Sequence, residues 1–196
     1  MKTIKIFQGN DIAPFIDTIA QFRIEAFYSF PYLYVGDTEY EKEYLSVYTN
    51  TPKALLTLAF DHEKIVGIST GIPLKNSGLV EEKPGVNLDD YYYLGEVIIL
   101  PAYQGQKLTS SMYEATIKII SGLGFKKISI LTVYREANDP RMPKNYVSLD
   151  GLLSHIGFKR NPLLDTTLSW ETRLSLTSNE HSKLNNYMQF WEKEIG

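Results

Sequence analysis

The chain has 196 residues, 43% hydrophobic and 22% charged, enough for one sizeable core. A net charge of −3 lacks the basic surplus of a general nucleic-acid binder, and the absence of cysteine removes disulfides, thiolate nucleophiles and cysteine metal sites. No apolar run approaches the roughly 18 residues of a membrane span, and Met1 to Gly9 lacks the apolar core of a secretory signal, so a cytoplasmic protein with no membrane or nucleic-acid partner is expected.

Lys2 to Phe7 alternates Ile4 and Ile6 with polar neighbours and predicts a first strand. Asn10 or Asp11 caps a predicted helix to about Tyr28, with Ile12, Phe15, Ile16, Ile19, Phe22 and Ala26 facing inward. Phe30-Pro-Tyr-Leu-Tyr34 breaks it, and a second helix is predicted over Thr38 to Tyr48. Ala54–Phe60 and Ile65–Ile72 predict a hairpin about the turn Asp61–Lys64. Lys75 to Asp90 carries Asn-Ser-Gly and Lys-Pro-Gly and is expected to be a loop.

Tyr91 to Leu100 predicts a buried strand stopped by Pro101. Tyr91-Tyr92-Tyr93 should alternate between its two faces. A polar turn, Tyr103-Gln-Gly-Gln-Lys107, leads into a predicted helix with Leu108, Met112, Ala115, Ile119 and Leu123 on one stripe, ended by Gly122 and Gly124. Lys127 to Val133 predicts a strand, Val147 to Ile156 a short helix, and Phe158–Arg160 with Thr166–Leu174 the last strands. Ser178 to Ile195 places Leu184, Tyr187, Met188, Trp191 and Ile195 at helical spacing. This predicts a domain over residues 1–176 and a C-terminal helical extension over 177–196, packed on the domain or on a second copy of the chain.

Strand, tight polar turn and helix present unpartnered backbone N–H groups at the positive end of the helix dipole, where a phosphate binds. Lys107, Thr109 and Ser110 can add charge and hydroxyls there. The segment from Gly95 to Thr109 resembles the pyrophosphate-binding motif of the GNAT superfamily of N-acetyltransferases. The family's usual form is a strand ending in hydrophobic-x-Pro, then Gln or Arg-x-x-Gly-x-Gly or Ala. Gln104 takes the Gln position and Gly105 follows it, while the next two small positions fall on Lys107 and Thr109. Lys107 must then adopt an ordinary turn or turn its side chain onto the phosphate. Gly157-Phe158 also resembles the family's Gly-Phe before its last strand pair. The element order matches the family's mixed α/β fold, a predominantly antiparallel sheet with a central parallel crossover, from about Ile4 to Arg173.

The resemblance implies acetyl-CoA as cosubstrate and direct attack by a primary amine of a small molecule or peptide. It places the pantetheine arm along the backbone of Val97, Ile98, Ile99 and Leu100, and the phosphates at Gln104, Gly105, Gln106, Lys107, Leu108, Thr109 and Ser110. The alternative is a non-catalytic CoA-binding sensor or partner-binding domain. Amine attack on a thioester needs a base, donors for the oxyanion and, for the thiolate, an acid. Glu96, in an otherwise apolar strand, is the candidate base; the competing reading is a salt-bridged or solvent-facing strand residue. The family often carries an Asn after its fifth strand and a Tyr seven residues later; those positions are Tyr146 and Leu153. Tyr146, Tyr134 or a water then serves as acid, or the thiolate leaves unassisted, and Tyr146 is the residue we name. The first two helices line the acceptor pocket in the family, which nominates Glu25, Tyr28 and Tyr32 among the carboxylates and aromatics of that region, with Tyr34, Asp37, Glu39, Glu41 and Glu43.

Two other signals carry less. Gly67-Ile-Ser-Thr-Gly71 matches a nucleophile elbow, but Ile72-Pro-Leu follows where a helix is required, so Ser69 belongs in a hairpin strand. His62, His155 and His181 have no ligand spacing, and no metal is expected.

Overall fold

The computed structural model describes residues 2–195. Among the described residues, eight strands form one sheet: β1 (Lys2–Gln8), β2 (Leu55–Asp61), β3 (Lys64–Pro73), β4 (Tyr91–Ile99), β5 (Lys127–Val133), β6 (Lys159–Arg160), β7 (Thr166–Arg173) and β8 (His181–Glu194). Their order is β1-β2-β3-β4-β5-β8-β6, with β7 also on β8. Every pairing is antiparallel except β4–β5, joined by the crossover helix α3 (Leu108–Gly122). The mixed α/β fold with a central parallel pair is as the sequence implied.

Helices cover both faces. After a 3-10 segment at Gly9–Phe15 that takes up Pro14, α1 (Ile16–Phe27) buries Ile19 and Ala20. The second helix, α2 (Thr38–Thr49), begins where the Asp37 carboxylate accepts the Tyr40 amide at 2.9 Å. These two helices pack on Leu56, Leu58, Ile68, Ile72, Tyr91 and Tyr93. On the opposite face, α3 and the short α4 (Leu149–His155) cover Leu55, Tyr92, Ile128 and Trp191. The three tyrosines alternate as expected. The α3 stripe is rotated: Leu108, Met112, Thr116 and Ile120 are buried, whereas Ile119 is exposed. A four-residue step through Thr116 brings its hydroxyl to Thr57 at 2.7 Å, a polar contact that hydrophobic spacing does not register.

The C-terminal segment is not a helical extension. Residues 181–194 form β8, which pairs with β7 through its first half and inserts between β5 and β6 through its second. Two periods coexist here. The three-and-four spacing of Leu184, Tyr187, Met188 and Trp191 reads as helix, while Asn186, Met188 and Phe190 alternate and are buried. Pairing decides. Without β8, the far edge of β5 would lack a neighbour along its whole length, and unpaired strand edges are costly when covered. Met188, Phe190 and Trp191 are therefore core residues of this domain, with Trp191 Nε1 donating to Thr132 Oγ1 at 3.0 Å. Among the described residues, no helix is long and apolar enough to cross a membrane.

Candidate active site

Strands β4 and β5 pair only at Tyr91–Lys127, Tyr92–Ile128 and Tyr93–Ser129. Beyond Tyr93 they part. The cause lies on the other side of β4, where the register with β3 slips between Thr70 and Gly71 and Gly95 becomes the extra residue of a bulge. A Cβ at Gly95 would meet Thr70 Oγ1 at 2.6 Å and the Tyr48 hydroxyl at 3.0 Å, so only glycine fits. After the bulge, Val97 to Ile99 stay on β3, and the Leu100 amide bonds Val66 O at 2.9 Å. Alternation then turns the peptide groups of Val97 and Ile99 toward the opened side, where Gln104 Nε2 donates to Ile99 O at 3.2 Å. Val97 to Pro101 form one wall of a groove; the end of α1 and the segment Ser29–Tyr32 form the other.

At the mouth of this groove, Pro101–Tyr103 makes a single 3-10 turn and the chain enters α3 through Gln104–Lys107. Gly105 and Lys107 both have positive φ, 72° and 61°. Lys107 therefore does not take the ordinary turn that was one of the two courses expected of it. It adopts the left-handed backbone itself, at a cost of roughly 1–2 kcal/mol for a residue with a Cβ. The Ser111 amide makes the first helical bond, to Lys107 O at 3.0 Å, so the amides of Leu108, Thr109 and Ser110 precede any intrahelical acceptor. The Leu108 side chain is buried in the core with Met112, while Gln104 to Lys107, Thr109 and Ser110 are exposed. Nothing lies within 4 Å of a Cβ built on Gly105, and Gln106 Nε2 braces the loop on Ala102 O at 3.0 Å. An open, braced turn at a helix N-terminus fits a diphosphate.

A second cavity of about 180 Å³ lies under α1 and α2. Arg23 and Glu41 on its wall belong to a buried charge network that joins four elements. Arg23 Nε donates to Glu41 Oε2 at 2.6 Å, Arg23 Nη1 donates to Glu96 Oε2, and Thr70 Oγ1 donates to Glu96 Oε1 at 2.8 Å. The guanidinium is also sandwiched by Phe27 at 5.0 Å and Tyr44 at 4.8 Å. Burial opposes its charge, but Glu96, Tyr44 and Glu41 outweigh that and hold the Arg23 pKa well above its usual value. Burial likewise raises the phenols of Tyr44, Tyr48 and Tyr93. Tyr34 is 7% exposed and its hydroxyl, beside Glu41, makes no well-formed hydrogen bond.

Of the expected site residues, Glu96 lies behind this chamber's wall, bonded to Arg23, which lines it, and its expected apolar neighbourhood is replaced by Arg23 and Thr70, which engage both carboxylate oxygens. Tyr32 lines both the chamber and the groove. Glu25 lies on the groove side, exposed, accepting from Gln21 at 3.0 Å. Tyr28 lines neither cavity; it is 42% exposed beneath the Arg173 guanidinium. Tyr146 packs edge-on against Phe30 at 4.7 Å, on the groove's rim. Arg23 went unremarked in the sequence. Ile19, Arg23 and Phe27 fall on one four-residue stripe of α1, and an arginine on a buried stripe was the available signal. Ser69 is buried within β3, opposite Val97, with no strand-to-helix elbow.

A groove along a strand splayed from its parallel partner, with an open turn at its mouth, suits a cofactor that carries a diphosphate. The sequence matches the Acetyltransferase (GNAT) family over residues 18–143, well over half its length, and the chain belongs to that family. No functionally curated protein matches it. Among solved structures, it resembles the ribosomal-protein-S18-alanine N-acetyltransferase of Escherichia coli (15% identity, TM-score 0.54, 100% of this chain and 94% of that one). An acetyltransferase of the GNAT family from Streptococcus pneumoniae is similar (17%, 0.54, 98% and 100%). So is yncA of Salmonella typhimurium, whose structure holds its cofactor acetyl-CoA (11%, 0.56, 100% and 94%). At these identities the likeness is one of fold.

Proposed function

We propose that the protein transfers the acetyl group of acetyl-CoA to a primary amine of a small molecule or peptide by direct attack. One observation carries this reading: the backbone-walled groove and the charged chamber meet at Phe27 and Tyr32, which line both. A thioester laid along Val97–Leu100, with its phosphates at Gln104–Ser110, ends near Gly95, where β4 and β5 close and the chamber begins. The amine enters from the chamber side.

The chamber suits a cation. Glu41, Glu96 and Arg23 sum to one net negative charge among buried side chains, and tyrosine rings surround them. An arriving ammonium neutralises that charge. Glu41 on the chamber wall holds the ammonium, Glu96 behind Arg23 adds its charge, and these carboxylates draw off the proton, so that the freed amine attacks the carbonyl carbon as the C–S bond breaks. The peptide N–H groups turned into the splay stabilise the oxygen.

A second reading, a CoA-binding sensor without turnover, draws support from the engagement of both Glu96 oxygens. Two measurements decide. Acetyl-CoA at 100 times its Kd should stabilise the fold by about 2.7 kcal/mol, a rise of roughly 5–10 °C in Tm. Free-thiol release should then appear on at least one member of a primary-amine panel. Saturable stabilisation without thiol release on any amine selects the sensor; no stabilisation at millimolar acetyl-CoA overturns both readings.

A further inference from the structure

The segment that carries Tyr32 is held with unusual firmness for a loop. Trp170 Nε1 donates to Tyr32 O at 3.1 Å, Arg135 Nη2 donates to the same oxygen at 3.2 Å, and Arg135 Nε donates to Pro31 O at 2.7 Å. The next residue, Leu33, is fully buried in a left-handed conformation with φ of 56°. The Tyr32 ring stacks on Phe27 at 4.3 Å. Every one of these contacts uses backbone or ring, and none uses the hydroxyl. A phenol is thus fixed where the two cavities join, and among the described residues its hydroxyl makes no hydrogen bond.

Resting on the acetyl-transfer reading above, we propose that the Tyr32 hydroxyl is the hydrogen-bond donor to the leaving sulfur. The carbonyl oxygen has peptide N–H groups of β4 beside it. Val97 to Leu100 offer the sulfur no donor side chain, and the opposite wall of the groove, where Tyr32 stands, does. The atoms balance without a further reactant. The nitrogen forms the N–C bond and sheds two protons, the C–S electron pair stays on sulfur, one proton is released to solvent and the other ends on sulfur as the free thiol. Tyr32 lowers the barrier by stabilising charge on sulfur until that proton arrives. Burial first, then Glu96, with Arg23 opposing and Tyr146 adding, pushes the phenol up to about 12. A free thiol titrates near 8.5, so Tyr32 lends its hydrogen and keeps it.

The test needs no acceptor. Coenzyme A is bound to the whole protein and its thiol is titrated by ultraviolet thiolate absorption in wild type, Tyr32→Phe and Tyr146→Phe. Glu96, Arg23 and Tyr146, whose charges or dipoles act at Tyr32, are present in both wild type and Tyr32→Phe, so their influence cancels between those two. A donor to the thiolate should lower the apparent pKa of the bound thiol by about one unit, or tenfold more thiolate at a given pH, in wild type relative to Tyr32→Phe. Tyr146→Phe should titrate as wild type. Equal titration in wild type and Tyr32→Phe, or the same shift in Tyr146→Phe, overturns the proposal and leaves acetyl transfer standing. Failure of coenzyme A to bind wild type overturns both. Should Tyr32→Phe misfold, wild type alone decides: its preference for coenzyme A over desulfo-coenzyme A should grow about tenfold as pH rises through the thiol titration, and a flat preference overturns the proposal.

Discussion

The groove along β4 and the chamber under α1 and α2 touch at two rings yet are made of different material. The groove is peptide: a bulge at Gly95, alternating N–H and C=O groups from Val97 to Leu100, and amides at the start of α3. The chamber is side chain: Arg23, Glu41, Thr70 and Glu96 from four separate elements, locked together out of water. A peptide-built site tolerates changes of side chain, which is how lysine stands at a left-handed position that favours glycine. A side-chain-built site fails when any member is removed, because the others are left as buried, unpaired charges.

Replacing Arg23 by Met should test that difference most severely. Two buried carboxylates lose their cation, at a cost of about 3–5 kcal/mol, read as a large drop in the urea midpoint. Adding Glu41→Gln and Glu96→Gln should recover most of it. A single variant as stable as wild type would mean the chamber is as tolerant as the groove. Glu96→Gln should come next, lowering kcat about 100-fold while acetyl-CoA affinity stays within about twofold of wild type; equal turnover removes Glu96 from the mechanism. Lys107→Gly should stabilise the fold by roughly 0.5–1 kcal/mol through relief of the left-handed backbone. It should weaken CoA binding severalfold at low salt, less at high salt, because a screened charge is lost. Tyr34→Phe should matter least, shifting the melting free energy by under about 0.5 kcal/mol, since its hydroxyl, beside Glu41, makes no well-formed hydrogen bond.

The same division explains what could be read in advance. Strand, proline, polar turn and helix are contiguous, so the groove was legible from Tyr91 to Leu123, and the hairpin, the crossover and the alternating tyrosines with it. The chamber was not, because Arg23 and Glu96 meet across 73 positions and local spacing says nothing of such partners. Glu96 was legible as a carboxylate in an apolar strand, but the guanidinium that occupies it was not. Tyr28 and Tyr32 look alike in sequence; only the turn between them sends one outward onto Arg173 and the other between the cavities. The last element failed for a related reason. Two periodicities were superposed in residues 181–194, and the open edge of β5 chose between them.

That late strand has a consequence for how the molecule is made. Strand β5 ends at Val133, and the segment that completes its edge begins only at His181. At ribosomal rates the nascent chain is expected to carry that edge bare for roughly 2–10 seconds. Met188 and, through β7, Trp170 cannot take their places in the chamber lining before then. Chamber lining and sheet closure should therefore arrive together, once residues 181–194 have been made, and pulse proteolysis of ribosome-bound intermediates would show whether they do.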